Sequence, residues 1–155
     1  MDRTIKGLIT NLEKYFIEYR SLLNPLKEDI SPINKERIFE LINAINTVTE
    51  IEDEVIEFRL LKILSEEHPY LPVISVTDIE RRAKTKDMSL DNSIDSFLRQ
   101  RRNLIKLLYS TPADYWERTG VHAQEGHISF QEFVRRFVEK DVETLSSVRN
   151  KISFS

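Results

Sequence analysis

SFQEFVRRFVEKDVETLSSVRNKI, residues 129–152, carries the most complete helix signal in the chain. Ser129 followed three residues later by Glu132 is a capping box, in which each side chain satisfies a free backbone amide of the first turn. Phe130, Phe133, Phe137, Leu145, Val148 and Ile152 then recur at helical spacing and form one apolar stripe. Arg149 and Lys151 stand in the last turn, where a cation complements the helix dipole. A helix with a single apolar stripe folds only against partners, so the rest of the chain must supply matching faces.

Three further stripes do so. Ile5, Leu8, Leu12, Phe16, Tyr19 and Leu23 repeat at spacings of three and four and end before Pro25, which predicts a first helix over about residues 3–24. A second begins at Ser31-Pro32 or at Asn34, both suited to a first turn. Ile38, Leu41, Ile45, Val48, Val55 and Ile63 carry it to about Glu66, with Ile42, Ile51, Ile56 and Phe58 widening its arc. A third, from about Asp91 to Tyr109, shows Ile94, Phe97, Leu98, Leu104, Ile105 and Leu108. The fold class is therefore all-α, a four-helix bundle, with no strand signal and no internal repeat.

Residues 67–90 form a connection between the second and third helices too long for a turn, with a short helical piece expected from Asp78 to Lys84. No domain boundary is visible, so residues 1–155 read as one domain.

Composition removes several classes of function. The chain has no cysteine, which excludes disulfides, thiolate metal sites and a nucleophilic thiol, and agrees with a reducing, cytoplasmic setting. Its 26 acidic and 23 basic residues give a net charge of -3, with no basic footprint for nucleic acid. No apolar run of membrane-spanning length and no signal-peptide core occur, so no membrane partner is expected. Gly-rich phosphate loops, a His-Glu-x-x-His pair and a glycine-flanked nucleophilic serine are all absent, and the sequence calls for no cofactor.

Chemistry, if any, must come from polar residues on the stripes. Glu52 and Arg59 continue the series Ile45, Val48, Val55; Arg101 lies between Phe97 and Leu104; Lys140 and Asp141 fall within the arc of Phe137 and Leu145. Charges drawn inward must be paired. They form either a polar pocket in the core or structural ion pairs such as Glu52 with Arg59 or Arg101, and the pattern alone serves both. Because Lys140 shares the inward arc, it is expected to form an ion pair with a carboxylate, first with Glu52 on the facing helix, with Asp141 and Glu143 nearby.

The segment Phe97–Leu145 resembles the DinB-like (damage-inducible, YfiT-like) family. Phe97 and Arg101, the leucines 104, 107 and 108, Trp116, the run Arg118-Thr119-Gly120-Val121-His122, and Gly126 match its pattern. Upstream, Glu52, Arg59, Leu60 and residues 63–72 look like its second helix and the loop that leaves it. The resemblance implies a bacterial-type four-helix bundle. In active members it implies a hydrolase or thiol S-transferase with zinc or nickel on one histidine of the second helix and two of the last.

The corresponding positions here read Thr47 (Val48 if the register slips by one), Lys140 and Thr144, so the resemblance implies a scaffold whose three-histidine metal site is lost. His68, His122 and His127 are the only histidines, and His122 matches a loop residue outside the metal set. The expected function is a metal-free small-ligand-binding or interaction protein. Its candidate pocket comprises Thr47, Glu52, Arg59, Arg101, His122, Lys140, Asp141 and Thr144. The apolar excess on the second helix further predicts a homodimer. The alternative is an enzyme that works by acid–base residues such as Glu52, Lys140, Asp141 or Glu143, or through an unconventional metal site pairing His122 with His127.

Overall fold

A computed structural model describes residues 2–153. Four long helices form the bundle: α1 (Arg3–Leu23), α2 (Lys35–Val55), α5 (Leu90–Ser110) and α6 (Phe130–Ser153). A π-turn, Ile56–Leu60, joins α2 directly to α3 (Leu61–Ser65), so the second stripe runs on as one rod, as its length predicted. The caps are those the residues suggest. Asn34 accepts from the Glu36 amide at 3.1 Å and Ser89 from the Asn92 amide at 3.1 Å. At α6, Ser129 accepts from the Glu132 amide at 3.0 Å, while the Glu132 carboxylate turns to Arg135 and Arg136 instead of closing the box.

The core falls into two apolar clusters, and the helices traverse them in different orders. α1 and α6 start in a cluster containing Ile5, Ile9, Leu12, Phe130 and Phe133, and end in a second containing Tyr19, Leu23, Leu145 and Val148. α2 and α5 run the other way, from Leu41, Ile45, Leu90 and Ile94 toward Leu60, Ile63, Leu104 and Leu108. Consecutive long helices α2 and α5 are therefore parallel neighbours, and the chain must travel back along the bundle between them. That return is the physical reason for the long connection. It carries α4 (Val76–Lys84), capped by Ser75 and packed on α2 through buried Ile79 and Ala83. Arg82 to Glu54 (2.6 Å) and Lys86 to Glu50 tie it down.

The connections also hold a small sheet that the sequence reading missed: β1 (Tyr70–Leu71), β2 (Thr119–His122) and β3 (Gly126–Ser129), in the order β1-β2-β3. β1 pairs parallel with β2, and β2 antiparallel with β3. Strands this short show no alternation long enough to read. The sheet explains the Arg-Thr-Gly-Val-His run. Arg118 donates to the Ile63 and Glu66 carbonyls at 2.9 and 2.8 Å, closing the end of α3. A Cβ on Gly120 would lie 2.4 Å from Leu71 Cδ1, 2.8 Å from its Cγ and 3.3 Å from Ile63 Cγ1.

Leu71 and Ile63 are fully buried and have nowhere to retreat. Gly120→Ala is therefore expected to destabilise the protein by about 1–3 kcal/mol, read as a lower urea midpoint with an unchanged slope. Among the described residues no helix is long and apolar enough to cross a membrane.

Candidate functional site

Between the two apolar clusters each of the four bundle helices contributes one polar residue to a single buried layer: Tyr19 from α1, Glu52 from α2, Arg101 from α5 and Asp141 from α6. Arg101 is completely buried. Its Nε donates to Glu52 Oε1 at 2.7 Å, and its Nη1 and Nη2 donate to Asp141 Oδ2 and Oδ1 at 2.7 and 3.0 Å. Tyr19 Oη donates to Asp141 Oδ1 at 3.0 Å. The rings of Tyr19, Phe97 and Phe137 surround the guanidinium, with centroids 5.2, 5.4 and 5.1 Å from its carbon.

Sequence spacing placed Glu52, Arg101 and Asp141 inward, and the structure joins them. The hydropathy pattern shows Tyr19 only as an apolar position, since a hydroxyl leaves no mark in it.

Electrostatics sets the protonation of this layer. Burial works against the Arg101 charge, but Glu52 and Asp141 outweigh it and hold the guanidinium firmly protonated. Burial, then the charge of Asp141, pushes the Tyr19 hydroxyl far above the usual phenol range. Two carboxylates share one cation, and Glu52 Oε2 has no hydrogen-bond partner. Burial accordingly raises the Glu52 carboxyl above its ordinary value of 4.5, with Arg101 opposing only part of the shift.

A folded-state pKa above the unfolded one means that the native protein holds this proton longer than the unfolded chain does. Its contribution to stability is full below the unfolded value and is lost as pH rises through the folded one. Glu52→Gln should therefore flatten the decline in stability that the parent shows as pH rises above about 4.5, measured by urea unfolding at a series of pH values.

The remaining candidates separate from this layer. Lys140, expected inward with Glu52 as its first carboxylate partner, instead lies on the surface with 77% of its side chain exposed, and its Nζ is 3.7 Å from Oε2 of the neighbouring Glu143. Two residues account for the difference: Asp141 takes the inward position on α6, and Arg101 supplies the cation that Glu52 needs. Arg59 is buried, donates to the Pro72 carbonyl at 3.2 Å and lies over the Phe133 ring at 5.0 Å, so it fastens the crossover to the bundle and does not pair with Glu52. Phe58, read as part of the buried arc, is half exposed. His122 Nδ1 accepts from the Gln124 and Glu125 amides at 3.1 and 3.2 Å and fixes the turn between β2 and β3.

Thr47, Lys140 and Thr144 do come together. They line an open groove of about 580 Å³ between α2 and α6, with Ala44, Val48 and Val148 among its apolar surfaces and Glu80 and Lys84 of α4 on one wall. The α4 wall was not legible in the sequence, since it depends on where the crossover packs. By contrast the space within the second apolar cluster, bounded by Tyr19, Ile45, Phe97 and Val148, admits no water-sized molecule. The groove has the volume of a small-molecule site, whereas Glu52, Arg101 and Asp141 are closed off from solvent.

The groove's donor set does not fit a zinc or nickel centre. Two hydroxyls that stay protonated near neutral pH are weak ligands, and an ammonium repels a cation. Thr144 Oγ1 moreover donates back to the Lys140 carbonyl at 3.3 Å. Among the described residues no three of His, Asp and Glu converge in a way that would hold a metal ion.

No family model and no curated protein matches this chain. Among solved structures, YfiT from Bacillus subtilis, described as a probable metal-dependent hydrolase with an unusual four-helix bundle topology, superposes with a TM-score of 0.70. The match covers 100% of this chain and 91% of that one at 11% sequence identity. At that identity the likeness is one of fold: the chain is an all-α, YfiT-like four-helix bundle.

Proposed function

We propose that the protein is a metal-free relative of the DinB-like bundles that binds a small organic ligand in the groove between α2 and α6. The observation that carries this reading is the meeting of Thr47, Lys140 and Thr144 in one open groove, at the positions where the resemblance places the metal ligands. The groove offers apolar surface for a ligand's body and both charge signs at its rim, from Lys84 and Lys140 and from Glu80 and Glu143. Acid–base catalysis by Glu52 or Asp141 has no support, because both are sealed with Arg101 away from any substrate.

The exposed rings of Phe39 on α2 and Phe58 on the π-turn support the further proposal that two copies of this single-domain, cytoplasmic protein associate. Elemental analysis of untagged protein after dialysis against a chelator tests the main reading. It predicts no zinc or nickel near one equivalent. Retention of one equivalent that disappears on Thr144→Val would overturn it.

A further inference from the structure

Beyond the groove, the sheet brings two imidazoles to one hydroxyl. After α3 the chain passes through His68, the one non-glycine residue with positive φ (45°) among those described, a conformation that histidine tolerates better than most residues. The turn delivers its ring to an exposed face of the sheet. There His68 Nδ1 lies 3.0 Å from Thr119 Oγ1 on the central strand β2, and His127 Nδ1 on β3 lies 3.2 Å from the same oxygen. A hydroxyl has one hydrogen, so two neutral rings cannot both accept from it; one Nδ1 accepts and the other carries a hydrogen and donates. The rings stand edge to face, 5.5 Å apart at an interplanar angle of 87°.

We infer that His68 and His127 form a binding site for a divalent transition-metal ion of the zinc, nickel and copper class, with the Thr119 hydroxyl and water completing its shell. Imidazole is the nitrogen ligand these ions favour. With metal–nitrogen bonds of about 2.1 Å and a near-tetrahedral angle, two imidazoles on one ion have centroids roughly 5 Å apart. The observed 5.5 Å requires only small ring rotations, and both Nδ1 atoms already converge on one point.

The pairing differs from the one the sequence suggested, His122 with His127, because the Nδ1 of His122 is committed to the turn amides. With two protein nitrogens instead of three, the site binds its ion exchangeably. It shares no residue with the α2–α6 groove and stands independently of the function proposed there.

Calorimetric titration of nickel(II) into the full untagged chain, stripped of metal beforehand, tests the inference. One saturable equivalent is expected. His127→Gln and His68→Asn, the latter keeping a residue that tolerates positive φ, should each weaken binding about tenfold or more, and Thr119→Val by a smaller factor. His122→Ala should leave the affinity unchanged. Absence of saturable binding by the parent, or an affinity that survives both His68→Asn and His127→Gln in variants with native circular dichroism, would overturn it.

Discussion

Arg101→Met is expected to destabilise the protein by about 3–5 kcal/mol, a large share of what a domain of this size possesses. Methionine fills much of the volume among Tyr19, Phe97 and Phe137, so the loss is not one of packing. It arises because Glu52 and Asp141, now without their cation, stay buried in a layer that water does not reach. Lysine is no substitute, since a point charge cannot make the end-on bond to Glu52 and the paired bonds to Asp141 together.

The cause can be checked within the same series. Adding Glu52→Met and Asp141→Leu to Arg101→Met replaces the whole cluster with apolar side chains of similar volume, and most of the stability should return, as happens when a buried ion cluster is replaced together. A non-additive cycle of this kind in urea unfolding assigns the cost to the charges. A loss below about 1 kcal/mol for Arg101→Met alone would contradict the layer described here.

How much of this was legible beforehand depends on what each residue's neighbours are. The apolar stripes marked all four bundle helices to within a residue or two, because each is longer than four turns and buries one continuous face. The inward direction of Glu52, Arg101 and Asp141 followed from the same period. Lys140 defeated it, since residues 140 and 141 are 100° apart on a helix and lie within the same broad arc; only the packed partner decides which one faces the core. The strands escaped notice for a related reason. Two to four residues per strand carry too little pattern, and β1 pairs with a strand about fifty residues further along the chain. Gly120 and His122 were visible as part of a motif, but their roles, close approach to Leu71 and a hold on two turn amides, exist only in three dimensions.

The second large effect expected is a gain of function. Lys140 and Thr144 are one helical turn apart on α6 and face the same groove as Thr47 on α2, so imidazoles at all three would converge from two helices. Three histidines with open positions make an ordinary zinc or nickel site, and the groove is open enough to leave those positions to water. Removing the Lys140 ammonium also removes the repulsion that a cation would meet there. The substitutions replace exposed or half-exposed side chains, leaving the buried layer untouched.

The direct measurement is the zinc affinity of Thr47→His, Lys140→His, Thr144→His, compared with its parent by competition against a chromophoric chelator. Both chains carry His68→Asn so that the sheet site does not contribute. The account predicts one equivalent bound by the triple variant at least about a hundredfold more tightly than by the parent. Equal affinities, with the parent's own zinc lost on Thr144→Val, would contradict it by showing that the groove already holds a metal centre.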